Sequence, residues 1–106
     1  MQFIGPWEGR RDCKGVRSGL RYEMWQDSFV SRTLYLAGPI YGDYLDTLAG
    51  QLVSFNRMRF SRQMLQDTAL EVEGWAERWQ DSLLIQLDVR GGIGSSTTCK
   101  WLLKKR

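Results

Sequence analysis

The sequence predicts a mostly β protein, an antiparallel meander closing into a small barrel or a strongly curved sheet. Turn signals recur at near-regular distances. They fall near Asp12 to Gly15, at Gln26-Asp27-Ser28, at Gly38-Pro39, around Gly42-Asp43 or Ala49-Gly50, at Gln66-Asp67, at Gln80-Asp81-Ser82 and over Gly91 to Ser96. Asp and Ser side chains bond back onto nearby amides and Gly accepts positive φ, so each cluster has a turning mechanism. Between the turns, apolar residues alternate with polar ones, the period of a half-buried strand. Short strands at such spacing read as a sandwich or barrel, and with about eight in sequence order an up-and-down barrel leaves no exposed edge.

Taken in order, Leu20, Tyr22 and Met24 alternate with Arg21, Glu23 and Trp25. Phe29 to Ala37 is rich in β-formers, among them Val30, Thr33, Leu34 and Tyr35. Leu83, Ile85, Leu87 and Val89 form one apolar face, and Thr97, Cys99, Trp101 and Leu103 another. Two segments fit either period. Over 43–57, Leu45, Leu48, Leu52 and Phe55 sit at helical spacing, while Val53, Phe55, Arg57 and Arg59 alternate. Over 68–79, a strand puts Leu70, Val72, Gly74 and Ala76 on one face. A helix would instead group Val72, Trp75, Ala76 and Trp79, with Thr68 and Glu71 as a capping box. Gly74 argues for the strand, since glycine costs a helix interior about 1 kcal/mol relative to alanine. With one or both segments helical, the fold is α+β, with helices packed on an antiparallel sheet.

The tetrapeptide WQDS occurs at Trp25–Ser28 and Trp79–Ser82, with a looser copy, LQDT, at Leu65–Thr68. An active site is assembled once. A repeat that stands wherever one apolar segment stops and the next begins is a turn.

The chain has 106 residues, enough for one domain spanning 1–106. Its net charge of +3 is too mild for a dedicated nucleic-acid binder, and nucleic acid is not an expected partner. The charge is uneven: Arg10, Arg11, Lys14, Arg17 and Arg21 crowd one segment, and Asp67, Glu71, Glu73, Glu77 and Asp81 another. Such patches are ordinary solvated surface, or a device for self-association. The chain contains no histidine and only Cys13 and Cys99, so the commonest zinc sites and histidine-based catalysis are absent. No cofactor or metal is expected. A bond between the two cysteines cannot be read from their spacing. With no apolar segment of membrane-spanning length and no signal peptide apparent, the expectation is a cytoplasmic protein with reduced thiols and no membrane contact.

Nothing in the sequence assembles into catalytic machinery. Glu71, Glu73 and Glu77 would project from a single strand face, whereas glycoside hydrolysis needs carboxylates on opposite sides of a bond. Cys13 lies among Arg10, Arg11 and Lys14, which favours a thiolate, but it lacks a base. The glycine-rich stretch from Gly91 to Ser96 precedes a strand, not the helix that a phosphate loop needs.

The N-terminal FIGPWEGR places Gly5, Trp7 and Gly9 as G-x-W-x-G, which resembles the first strand of small lipocalin-like (calycin) barrels. The resemblance implies a barrel with Trp7 closing its base, a basic residue of the last strand (Lys100 or Lys104) covering that ring, and a cavity for a small apolar ligand. LYLAGPI, Leu34 to Ile40, is similar to the first strand of nucleoside deoxyribosyltransferases, but too little chain follows for their remaining βα units.

Two functional readings without catalysis lead, and an enzyme using carboxylates in a cleft is a third and weaker one. In the first, the chain holds a small apolar or amphipathic ligand lined by Tyr22, Met24, Arg78 and Trp101. Arg78 shares the strand face of Val72 and Ala76 and would need an anionic partner there. In the second, it is a homodimeric or partner-binding interaction module, with Trp75 and Trp79 on the contact surface.

Overall fold

The computed structural model describes residues 3–27, 32–42, 45–66, 69–91 and 96–106. It is a closed barrel of eight antiparallel strands in sequence order. The strands are β1 (Gly5–Asp12), β2 (Val16–Gln26), β3 (Thr33–Pro39), β4 (Leu45–Ser54), β5 (Arg57–Met64), β6 (Glu71–Trp79), β7 (Ser82–Arg90) and β8 (Ser96–Lys105). Among the described residues no helix is long and apolar enough to cross a membrane.

Both ambiguous segments are strands. Within the first, the described residues 45–57 supply β4, the 54–57 turn and the start of β5, and within the second, Glu71–Trp79 is β6. Burial follows the period of two. On β6, Val72 and Ala76 are buried while Trp75 and Glu77 reach solvent. Thr68, the capping-box candidate, lies outside the described residues, as do Asp43, Asp67 and most of the stretch from Gly91 to Ser96.

The second WQDS is a hairpin turn. Trp79 pairs with Ser82, and Gln80 between them takes a φ of 53°. In the first copy, Trp25 and Gln26 end β2, Asp27 donates its backbone N–H to Thr33 O at 3.0 Å, and Ser28 lies outside the described residues. Leu65 of LQDT follows β5 and is buried.

The seam of the barrel is β1 on β8, from Trp7↔Lys105 to Asp12↔Lys100. One residue further along the same register, Cys13 is bonded to Cys99, with the two Cα atoms 4.3 Å apart. The expectation of reduced thiols is corrected here. Closure of the sheet brings together two cysteines 86 positions apart, which no local pattern reveals.

Side chains from all eight strands meet inside. Trp7, Tyr22, Leu36, Leu48, Phe60, Ala76, Leu87 and Trp101 are each buried. The two ends of the barrel differ. At the Trp7 end lie Phe3, the 54–57 and 79–82 hairpins, and the end of β8. At the Arg11 end lie the 12–16 turn, the ends of β3, β5 and β7, and the starts of β4, β6 and β8.

Candidate functional site

Period two along β1 puts Trp7, Gly9 and Arg11 on the inner face. Trp7 is fully buried and donates Nε1–H to Phe3 O at 3.0 Å. Lys105 Nζ sits 4.9 Å from the centre of its ring, a cation–π contact, and also donates to Ile4 O. The cation over Trp7 is therefore Lys105, not Lys100 or Lys104 as expected. On β8 the inner face runs Cys99, Trp101, Leu103 and then Lys105. Lys100 and Lys104 belong to the opposite parity and are exposed. Gly9 has a packing reason: a Cβ there would lie 2.1 Å from Leu102 O, so only glycine lets β8 approach β1 this closely.

Toward the other end the interior holds a polar cluster. Trp101 Nε1 donates to the Tyr22 hydroxyl at 2.6 Å, and that hydroxyl donates to Pro39 O at 2.6 Å. Arg11 Nη1 donates to the same Pro39 O and to Gly42 O, each at 3.0 Å. Burial pushes the Tyr22 hydroxyl up to about 12; the bond from Trp101 and the charges of Arg11 and Arg17 oppose it. Gly38 makes room for the ring, since a Cβ there would lie 2.3 Å from Tyr22 Cδ1.

Of the four residues expected to line a ligand, Tyr22, Met24 and Trp101 are buried in the core and Arg78 is half-buried near the Trp7 end. Tyr22 and Trp101 are directly bonded. Arg78 is on the inner face of β6, opposite Leu83, as the strand reading required. A surface depression of about 400 Å³ is lined by Tyr22 and Gly38 with Arg21, Leu45, Asp46 and Gln66.

Of the two interaction candidates, Trp79 is exposed and Trp75 half-buried, with the Arg57 guanidinium 5.2 Å from the Trp75 ring centre. Two residues not singled out beforehand stand beside them. Phe55 on the 54–57 hairpin is 79% exposed and Val53 57%. That hairpin adjoins the end of β6, where Arg78 N donates to Asn56 O at 2.9 Å. Its signal was Phe55 between Ser54 and Asn56, an aromatic residue inside a turn.

The acidic face is compensated within the chain. Arg62 lies 3.9 Å from Glu71 and 3.7 Å from Glu73, and Arg90 lies 2.8 Å from Glu73. Among the described residues no group of three or more His, Cys, Asp or Glu is arranged to hold a metal ion. No family model matches the chain, and no curated protein sequence matches it.

Proposed function

We propose that the protein is a non-enzymatic binding module that engages an acidic protein partner with the Trp7 end of its barrel. One observation carries this reading: Val53, Phe55 and Trp79 stand exposed on two adjoining hairpins at one end of the barrel. Leaving Phe55 in water forgoes the stabilisation that its burial would bring, and contiguous apolar groups of this kind mark contact sites. Cations flank them: Arg57 beside Phe55, Lys105 and Arg106 at the end of β8, and Lys104, which pairs with Asp81 of the 79–82 hairpin at 3.7 Å. A second copy docked end to end would oppose like charges, whereas an acidic partner would be steered in.

The test is capture from extract by immobilised wild type, Phe55→Ser and Trp79→Ser, followed by rebinding of the captured protein after its purification. The reading requires one acidic protein that binds wild type, loses affinity about tenfold or more with either variant, and weakens with salt. Equal binding to all three chains would overturn it. Concentration-dependent dimers in sedimentation equilibrium, dispersed by Phe55→Ser, would replace it with self-association.

A further inference from the structure

At the opposite end of the barrel, Arg11 poses a separate problem. Strand parity drives its guanidinium inward, and the residue is 4% exposed. Burying a charge is costly without a compensating one. Its hydrogen bonds go from Nη1 to the carbonyls of Pro39 and Gly42, and the nearest side-chain polar group named above, the Tyr22 hydroxyl, is also neutral. Among the described residues no carboxylate lies within ion-pair distance of Arg11. The two carbonyl bonds go from one nitrogen of the fork, and the guanidinium also bonds the Tyr22 hydroxyl.

Arg11 lines a surface depression of about 310 Å³. Lys14 and Arg17 line it too, Val16 and Tyr41 give it apolar walls, and among the described residues no Asp or Glu contributes to the lining. The rim is anchored. Cys13, also in the lining, is bonded to Cys99 of β8, which ties the 12–16 turn carrying Lys14 to the barrel wall. Among the described residues this buried cation meets only neutral acceptors, and it stands at the edge of a mainly apolar depression that adds a second cation.

We propose that this depression is a binding site for a small organic carboxylate. The carboxylate lies in the fork of Arg11, Lys14 adds a second charge, and the apolar body rests on Val16 and Tyr41. A planar carboxylate matches the guanidinium edge with two parallel hydrogen bonds, which a spherical anion cannot do. A body of modest size suits the volume. The site is distinct from the apolar hairpins, which lie at the other end of the barrel, and each stands without the other.

The experiment titrates isotope-labelled protein with sodium benzoate, sodium acetate, sodium phosphate and sodium chloride at matched ionic strength, followed by NMR. Benzoate is expected to shift the amides of Gly15 and Gly42 and the Arg11 Nε–H saturably, more tightly than acetate, with chloride inert. Lys14→Glu, on an exposed turn, is expected to weaken benzoate binding about tenfold or more and leave the fold unchanged. Arg11→Met is expected to abolish it. If Arg11→Met does not fold, the Lys14→Glu comparison decides. Benzoate shifts no larger than those of chloride, or unaltered by Lys14→Glu, would overturn the proposal. Saturable binding of phosphate alone would overturn the carboxylate assignment.

Discussion

Cys13 and Cys99 are joined directly across the seam where the first strand of the barrel meets the last. Every other strand pair in this fold is neighbouring in sequence and linked by a short connection. The β1–β8 pair alone must be assembled over the length of the chain, so the entropy of closing the barrel is concentrated there. A covalent bond at that seam removes much of this entropy from the unfolded chain.

Reduction of that bond, or Cys13→Ser with Cys99→Ser, is expected to cost about 2–5 kcal/mol, the span for a loop of this length. Urea unfolding with and without reductant measures it. An unchanged midpoint would mean that the hydrogen-bonded seam holds without the bond.

Lys105 and Lys104 are adjacent on β8 but face opposite sides, and only Lys105 covers Trp7. Lys105→Met is expected to lower stability by about 0.5–1 kcal/mol and to shift the emission of Trp7. Lys104→Met is expected to leave both nearly unchanged. Thermal unfolding and fluorescence of the two variants, side by side, make the comparison.

Tyr22 ties Trp101 to Pro39. Tyr22→Phe keeps the ring but leaves the buried Trp101 N–H without its acceptor, at a cost of about 1–3 kcal/mol. The pH dependence has a definite sign. The folded hydroxyl ionises at about 12, above its ordinary value of 10.0, so the folded state holds the proton more tightly than the unfolded chain. The stability this contributes is complete below pH 10.0 and is lost as pH rises toward about 12. Unfolding free energies across that window should fall more steeply for wild type than for Tyr22→Phe. The Tyr35 hydroxyl is also raised, first by its hydrogen bond to Asp27, and should titrate late in absorbance at alkaline pH.

Gly38→Ala would place a methyl group within 2.3 Å of Tyr22 Cδ1. The expected cost is about 1–3 kcal/mol through displacement of the ring, visible as a change in near-UV circular dichroism. Recovery of stability in Gly38→Ala with Tyr22→Leu would confirm that the clash is with that ring.

Much of the fold was legible in the residues, because the side-chain period of a strand is local. The alternation of Leu83, Ile85, Leu87 and Val89 reports its own buried face without knowledge of the neighbours. The turn at Gln80-Asp81 likewise carries its own chemistry, and the two WQDS copies begin where β2 and β6 end. The ambiguous segments, 43–57 and 68–79, were ambiguous for a physical cause. Apolar residues there satisfy both the 3.6 and the 2.0 period, and pairing with β3, β5 and β7 selects the strand.

Sequence alone favoured a mostly β protein over the α+β alternative and marked the inner faces of β2, β6, β7 and β8, since alternation depends on neighbours two residues away. Tertiary structure decided the rest. Closure paired Cys13 with Cys99, put Lys105 rather than Lys104 over Trp7, and joined Tyr22 to Trp101 across 79 positions. It carried Arg11 inward on the face of Trp7 and left Phe55 and Trp79 exposed at one end of the barrel. These relationships depend on register between distant strands. Register is set by the balance of all the pairings around the barrel, and no short stretch of residues contains it.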